Sequence, residues 1–350
     1  MTMHQTLLAQ LDHFAEDGHL RRLGTAFTRF MASLGMTEPA QMISCAVLSE
    51  LEGHGHSCLM LDALASDPGT LLGWSKEQWQ ILADAAAPLP VDRAGWHRSL
   101  ARCAQVWVVG DEDRQQPLVL DEDRLYLRRY WRDETQIAKA VNARAAQARA
   151  VDAAKAHCWL DKLFKSTAND AGPDWQKIAC AIAVRSTLSI ITGGPGTGKT
   201  YTVARLLALL FALSTTPERL RIALAAPTGK AAARLKQSID DALNELAPKM
   251  GDALPLAELT ARMGSARTLH SLLGAQPDTR AFRHHAGNPL DVDVLIVDEA
   301  SMVHLEMMAA LLDALPAHAM LILLGDKDQL ASVEAGAVLG DLCQDAQSGG

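Results

Sequence analysis

The sequence predicts an α/β protein with a mainly helical N-terminal domain, followed by a lobe built on a parallel sheet. Two observations support this fold class. Four short apolar runs in the second half each end at a glycine, a proline or an acidic residue, and helical patterns lie between them. The composition also changes near residues 165–175, where a polar stretch comes just before the last tryptophan. The apolar runs are Leu188–Thr192, Ile222–Ala226, Val294–Val297 and 320–324.

The overall composition is that of a globular chain with about two domains. The 350 residues are 49% hydrophobic and 21% charged, which excludes a disordered protein. The net charge of −8 argues against a generally cationic nucleic-acid coat protein but permits a local basic groove. The six cysteines form no CxxC pair, which argues against a zinc ribbon or a disulfide framework and fits a reducing compartment. Since neither a signal peptide nor a membrane span is apparent, we expect a cytoplasmic protein without membrane association.

The first part of the chain is predicted to be helical up to about residue 104. Apolar residues at helical spacing in 7–14 and 41–51 indicate two of its helices. An apolar run at 106–109 predicts a short strand, and 117–120 with 125–127 predict a hairpin. An alanine-rich stretch over 132–164 has high helix propensity. The predicted domains are residues 1–165 and residues 170–350.

The strongest motif follows the first strand of the second part and has the sequence GGPGTGKT, from Gly193 to Thr200. It matches the phosphate-binding pattern G-x-x-x-x-G-K-[ST] in the context that this pattern requires, between a strand and a helix. Glycines allow successive backbone N–H groups to surround phosphate oxygens, and the helix N-terminus adds positive potential. We expect Lys199 to reach the β- and γ-phosphates and Thr200 to hold Mg²⁺ through its hydroxyl.

Two further motifs come at the carboxyl ends of apolar strands, where ligands bind in folds of this kind. Asp298 and Glu299 follow the run Val294–Val297. Asp298 would support Mg²⁺, and Glu299 would polarise the attacking water. Gln329 lies in a polar loop after 320–324, and its neutral amide can contact the γ-phosphate without competing for metal. The alternative for Gln329 is a polar strand-to-helix loop without a catalytic role.

A second group of polar residues follows the run Ile222–Ala226. Free N–H groups, Thr228 and Lys230 suit a phosphate that does not belong to the nucleotide, which suggests a nucleic-acid backbone. Thr268 and His270 come later in the same basic stretch, since basic residues outnumber acidic ones between 171 and 290. The alternative is that these cations form a solvated helix face.

These motifs occur in an order that resembles the RecD family, the alpha chains of exodeoxyribonuclease V, which are superfamily 1 DNA helicases of 5′→3′ polarity. The resemblance is dense from about 174 to 343 and looser before that. It is carried by the segments 175–179, 193–200, 226–234, 268–277, 283–290, 298–302 and 325–340. It implies a RecA-like P-loop NTPase lobe that uses ATP and Mg²⁺ to move along single-stranded DNA.

The resemblance also implies roles for individual residues. Gln176 resembles the glutamine that recognises adenine, and Gln329 the γ-phosphate sensor that couples hydrolysis to movement. The catalytic set would be Lys199, Asp298, Glu299 and Gln329, with Thr200 and Asp298 at the metal. The nucleotide would be bound by Gln176, Gly193, Gly194, Pro195, Gly196, Thr197, Gly198, Lys199, Thr200 and Tyr201, of which Tyr201 should pack rather than react. The DNA contacts would come from Pro227, Thr228, Gly229, Lys230, Thr268 and His270.

The same resemblance implies partners. The chain would be a helicase subunit of a RecBCD-type complex that acts in double-strand break repair and recombination. RecB-like and RecC-like subunits would complete a heterotrimer. The N-terminal domain would dock on the RecC-like subunit, and the RecB-like subunit would supply the nuclease.

One departure from the family pattern affects activity. Superfamily 1 motors bind ATP between two RecA-like lobes, and the second lobe supplies an arginine worth about 10³–10⁵ in rate in comparable systems. The sequence stops at Gly350, after the glutamine motif, so we expect the second lobe to be absent. We therefore expect this chain alone to bind nucleotide weakly and to hydrolyse it poorly.

Two alternatives stay open. One is a non-enzymatic module that assembles the complex through residues 1–165. The other is an ATPase of the AAA+ type, such as a clamp loader, which would carry a polar sensor on the strand 320–324. Here the amide comes later, at Gln329.

Overall fold

The computed structural model describes residues 3–164, 173–194, 196–326, 336 and 338–344, so the predicted site residues Pro195 and Gln329 lie outside the described residues. The chain divides into two compact units, of which the first reaches Thr135 and the second begins at Gln136. Among the described residues, no helix combines the length and the apolar character needed to cross a membrane.

The first unit contains seven helices and a small four-stranded sheet in its described part. The helices are α1 (Met3–Glu16), α2 (Arg22–Ser33), α3 (Pro39–Gly53), α4 (Leu61–Ser66), α5 (Pro68–Leu72), α6 (Lys76–Ala85) and α7 (Arg93–Ala101). The strands are β1 (Cys58–Met60), β2 (Val106–Val108), β3 (Leu118–Asp121) and β4 (Arg124–Leu127). The sheet order is β1-β4-β3-β2, in which β3 and β4 form the predicted hairpin.

Local signals in the sequence account for several of these helix ends. Pro39 occupies the start of α3, where its missing N–H costs nothing. The Asp67, Ser75 and Asp92 side chains accept hydrogen bonds from the first turns of α5, α6 and α7. The helix α3 is buried on nearly every side, from Ala40 to Leu51, and therefore lies at the centre of this unit.

The second unit is a parallel sheet with helices around it. The helix α8 (Arg128–Ala145) leads into it from the first unit. The strands are β5 (Leu188–Thr192), β6 (Ile222–Ala226), β7 (Arg267–Thr268), β8 (Val294–Val297) and β9 (Met320–Gly325). The other helices are α9 (Ala153–Leu163), α10 (Trp175–Ala183), α11 (Lys199–Leu213), α12 (Gly229–Met250), α13 (Leu256–Arg262), α14 (Leu269–Leu273), α15 (Leu305–Ala314) and α16 (Val338–Leu342).

The sheet has the order β5-β9-β8-β6-β7, and all of its strand pairs are parallel. Its central strands β8 and β9 are buried along their whole length, as continuous apolar strands of a covered parallel sheet should be. The four strands predicted from apolar runs are therefore present, and β7 is an additional short strand.

The alanine-rich stretch 132–164 is not one helix. It comprises the end of α8 and the whole of α9, separated by residues 146–152. The reason is tertiary: the Arg149 N–H donates to the Arg185 carbonyl at 2.8 Å, and Ala148 forms an antiparallel bridge with Ser186. The pairing of residues 148–149 with residues 185–186 therefore outweighs the high helix propensity of this stretch.

The two compact units divide earlier than the predicted domain boundary at 165–170. The later half of α8 and all of α9 belong to the second unit, because Leu160, Leu163 and Phe164 lie in its hydrophobic core. The predicted domains 1–165 and 170–350 stay a prediction.

Candidate functional site

The carboxyl edge of the large sheet collects most of the polar residues that the motifs predict. The phosphate-binding loop follows β5, Asp326 follows β9, and Asp298 follows β8. Thr228 comes two residues after β6, and Thr268 ends β7. Because all five strands are parallel, these positions share one edge, where α/β proteins bind ligands.

A cleft of about 450 Å³ opens along part of this edge. It brings together seven predicted site residues, which are the loop residues Gly196, Thr197, Gly198, Lys199 and Thr200 and the carboxylates Asp298 and Glu299. The complete lining is Gly196, Thr197, Gly198, Lys199, Thr200, Ala231, Arg234, Leu235, Ser238, Asp298, Glu299, Gly325 and Asp326. Gln176, Gly193, Gly194 and Tyr201 are outside this lining.

The lysine of the phosphate-binding loop is hydrogen-bonded to the backbone of the same loop. The Lys199 ammonium donates hydrogen bonds to the carbonyl oxygens of Gly193 and Gly194, the second at 3.0 Å. The Thr197 hydroxyl donates to the Gly194 carbonyl at 2.9 Å and closes the loop. The positive charge of Lys199 therefore lies inside the curve of the loop, where phosphate oxygens would bind.

Two predicted nucleotide residues contact the loop or its helix from outside the cleft. Gln176, at the start of α10, donates from its amide to the Thr197 carbonyl at 3.4 Å. Tyr201, in the first turn of α11, packs its ring on Arg205, whose guanidinium carbon lies 3.1 Å from the ring centroid. Gln176 is thus next to the loop, and Tyr201 serves as a packing partner.

The two carboxylates after β8 have different surroundings. The Asp298 N–H donates to the Ala225 carbonyl at 2.9 Å, and the Glu299 N–H donates to the Asp298 carboxylate, also at 2.9 Å. Glu299 has a left-handed backbone with φ of 53°, which turns the chain sharply after the strand. Burial raises the pKa of Asp298 above its ordinary value, although the Glu299 N–H, Lys199 and Arg234 all act to lower it.

The donor set in the cleft suits a hard cation such as Mg²⁺. Thr200 offers a hydroxyl oxygen and Asp298 a carboxylate oxygen, and both line the same cleft. Among the described residues there is no cluster of three or more His, Cys, Asp or Glu side chains suited to metal. A cation here would take its remaining ligands from phosphate and water, as Mg²⁺ commonly does.

The two segments predicted to contact DNA are neighbours in the structure. The strands β6 and β7 pair in parallel with Ala226 opposite Thr268. Thr228 and Thr268 then cap α12 and α14, each accepting a hydrogen bond from the backbone three residues later, at 3.2 and 3.1 Å. Gly229, Lys230 and His270 are exposed beside them. The two threonines have structural roles as helix caps, but each hydroxyl keeps its proton available as a donor.

The cleft also contains residues to which the motifs assign no role. Ala231, Arg234, Leu235 and Ser238 form one face of α12, with the spacing i, i+3, i+4, i+7. That spacing is visible in the sequence, but the direction in which the face points depends on the neighbours of β6. Asp326 was likewise part of a recognised motif without an assigned role.

Comparison with known families identifies this architecture. Residues 16–126 match the family model for the N-terminal domain of the RecBCD enzyme subunit RecD. Residues 176–335 match the model of an AAA domain, which is a nucleotide-binding domain and covers the cleft. RecBCD enzyme subunit RecD of Haemophilus influenzae is 42% identical over 296 residues, which are 83% of this chain and 45% of that protein. Over residues 16–126 and over 83% of its length, the chain is similar to the RecD family. The resemblance inferred from the motifs and the predicted fold class are both confirmed.

Other relatives agree with this similarity. RecBCD enzyme subunit RecD of Mycolicibacterium smegmatis is 49% identical over 65% of the chain and 39% of that protein. The ATP-dependent RecD2 DNA helicase of Deinococcus radiodurans is 40% identical over 45% of the chain and 18% of that protein. The chain therefore spans less than half the length of these curated relatives.

Proposed function

We propose that this RecD-family chain is the ATP-dependent 5′→3′ DNA helicase subunit of a RecBCD-type exodeoxyribonuclease V complex, which acts in double-strand break repair and recombination. One observation carries the proposal: a single cleft joins the phosphate-binding Lys199 and Thr200 to the adjacent carboxylates Asp298 and Glu299. The printed names of the relatives, RecBCD subunit RecD and RecD2 DNA helicase, support it.

The nucleotide in this proposal is ATP with Mg²⁺. Lys199 would exchange its two loop carbonyls for phosphate oxygens, and the backbone N–H groups of 193–200 would surround the β-phosphate. Thr200 and Asp298 would hold Mg²⁺, which neutralises phosphate charge when it is bound. Gln176, beside the loop, is placed to recognise the base.

Hydrolysis requires a water molecule in line with the γ-phosphate. Glu299 would accept a proton from that water, since it lies directly after Asp298 and lines the same cleft. Gln329, outside the described residues, completes the proposed set as the γ-phosphate sensor.

Single-stranded DNA would run along the part of the edge formed by β6 and β7. Thr228 and Thr268 can donate to phosphate oxygens while they cap their helices. Pro227, Gly229, Lys230 and His270 complete the proposed contact surface. The helix α12 begins at this surface and passes the nucleotide cleft, so one element would contact both ligands.

The proposed partners are RecB-like and RecC-like subunits in the cytoplasm. The relatives are named as subunits of RecBCD, and residues 16–126 match the RecD N-terminal domain. We propose that this domain docks on the RecC-like subunit. A role in assembly alone is the main alternative; the cleft chemistry and the helicase relative favour the motor over that role and over an AAA+ clamp loader.

Unwinding from a 5′ tail tests the proposal. In the assembled complex, Glu299→Gln should abolish unwinding of a duplex with a 5′ single-stranded tail, because only a 5′→3′ motor can enter from that tail. ATP binding should persist, since the amide is nearly isosteric with the carboxylate. Unwinding of 3′-tailed duplexes serves as the control for the rest of the complex. Undiminished unwinding from the 5′ tail would refute the motor function.

A further inference from the structure

The cleft contains a cation that the proposed catalytic set does not use. Arg234 lies on α12, five residues after its first residue, and lines the cleft together with Lys199. Within the described parts of the chain, its side chain is exposed and takes part in no ion pair or hydrogen bond. A neighbouring cation on the same helix, Lys236, is instead paired with Asp240. Among the described residues, Arg234 is thus an unpaired positive charge that lines the nucleotide cleft.

The order of the strands shows which part of a nucleotide Arg234 would meet. The phosphate-binding loop follows β5, whereas α12 follows β6, and β9 and β8 lie between them. At about 4.8 Å per strand, β5 and β6 are roughly 14 Å apart. Glu299, which would activate the water that attacks the γ-phosphate, follows β8, the strand next to β6. The γ-phosphate would therefore lie on the α12 side of the cleft.

The charges inside the cleft agree with this placement. Burial raises the pKa of Asp298, and the positive charges of Lys199 and Arg234 act to lower it. Arg234 is therefore close enough to interact electrostatically with the carboxylate beside the proposed phosphate site. An arginine is well suited to a terminal phosphate, because its planar guanidinium can donate two parallel hydrogen bonds to phosphate oxygens.

We propose that Arg234 binds the γ-phosphate of ATP and makes the cleft selective for the triphosphate over the diphosphate. This inference rests on the proposed ATPase function. Because Thr228, at the proposed DNA surface, caps the helix that carries Arg234, loss of the γ-phosphate would release a contact on the helix that touches DNA.

Calorimetric titration of the 350-residue chain with Mg-ADP and with the magnesium complex of adenylyl imidodiphosphate tests this proposal. Arg234→Gln should weaken binding of the triphosphate analogue tenfold or more and change ADP binding less than twofold. Arg234→Lys keeps the positive charge but cannot donate two parallel hydrogen bonds, so it should weaken binding of the triphosphate analogue by an intermediate factor. Lys236→Gln, which removes a cation outside the cleft lining, should change neither affinity.

The results distinguish failure of the Arg234 role from failure of the ATPase proposal. Equal weakening of both nucleotides, or analogue binding that is unchanged in Arg234→Gln, would overturn the role of Arg234 and leave the ATPase proposal intact. A wild-type chain that binds neither nucleotide would overturn the proposed function itself. Thermal unfolding without nucleotide serves as the control for folding, since Arg234 is exposed and its replacement should not lower the unfolding temperature.

Discussion

Gly196 and Gly198 of the phosphate-binding loop both adopt left-handed backbone conformations, with φ of 79° and 81°. A side chain at either position costs roughly 1–2 kcal/mol of backbone strain. Their surroundings differ, because a Cβ at Gly196 meets no atom within 4 Å, whereas one at Gly198 overlaps the Gln176 amide. Alanine at Gly196 would therefore add only backbone strain, whereas alanine at Gly198 would add the same strain and also displace the Gln176 side chain.

We expect Gly196→Ala and Gly198→Ala to lower the free energy of unfolding by similar amounts, about 1–2 kcal/mol, because a flexible amide can move aside. Only Gly198→Ala should reduce the preference for ATP over GTP, since it displaces Gln176 from the loop. Titration of both variants with both nucleotides measures the preference. If it is unchanged in Gly198→Ala, Gln176 has no part in base recognition.

Single residues of the cleft differ in how far the sequence reveals them. Lys199, Thr200, Asp298 and Glu299 are predictable because motif and chemistry coincide at strand ends, and the structure places them in one cleft. Arg234 is not predictable in this way. Its position on a helix is evident, but the direction of its side chain depends on which strands lie beside β6, and that order is a property of the folded sheet.

At the scale of elements, strands that are continuous apolar runs between breakers are predictable, including the three-residue β2, whereas features that depend on tertiary pairing are not. The strands β5, β6 and β8 have the predicted bounds, because each is a continuous apolar run between breakers. The strands β1 and β7 have three and two residues and leave no periodic signal. The break between α8 and α9 escapes prediction because it depends on Arg149 and Ala148 pairing with residues 185–186.

A buried arginine contributes to the attachment of α8 to the second unit. Arg144 is 6% exposed and donates to the carbonyl oxygens of Leu315, Pro316 and Ala319 at 2.9–3.0 Å. These carbonyls lie between α15 and β9, so Arg144 links α8 to the loop that precedes the central strand β9.

Arg144→Met should destabilise the second unit by about 2–4 kcal/mol, because it leaves several buried carbonyl oxygens without donors. Lys139→Met removes an exposed cation from the same helix and should change the stability by less than about 0.5 kcal/mol. Scanning calorimetry of both variants measures the difference. Equal unfolding temperatures would show that water or other groups replace the Arg144 donors.

For the molecule as a whole, the uneven distribution of charge accounts for an acidic protein with a proposed DNA surface. The net charge is −8, yet basic residues outnumber acidic ones between 171 and 290, the stretch that contains Lys230 and His270. The AAA-domain match and the second compact unit both contain most of this stretch together with the nucleotide cleft. We propose above all that the second compact unit binds ATP with Mg²⁺ through Lys199.

Thermal unfolding with and without Mg-ATP tests that claim most directly. Ligand at one hundred times its dissociation constant stabilises a protein by about 2.7 kcal/mol. We expect Mg-ATP to raise the unfolding temperature of the second unit by several degrees in the wild-type chain, and this shift to be largely lost in Lys199→Ala and reduced when EDTA removes Mg²⁺. The same shift in Lys199→Ala as in the wild-type chain would contradict the proposed nucleotide site.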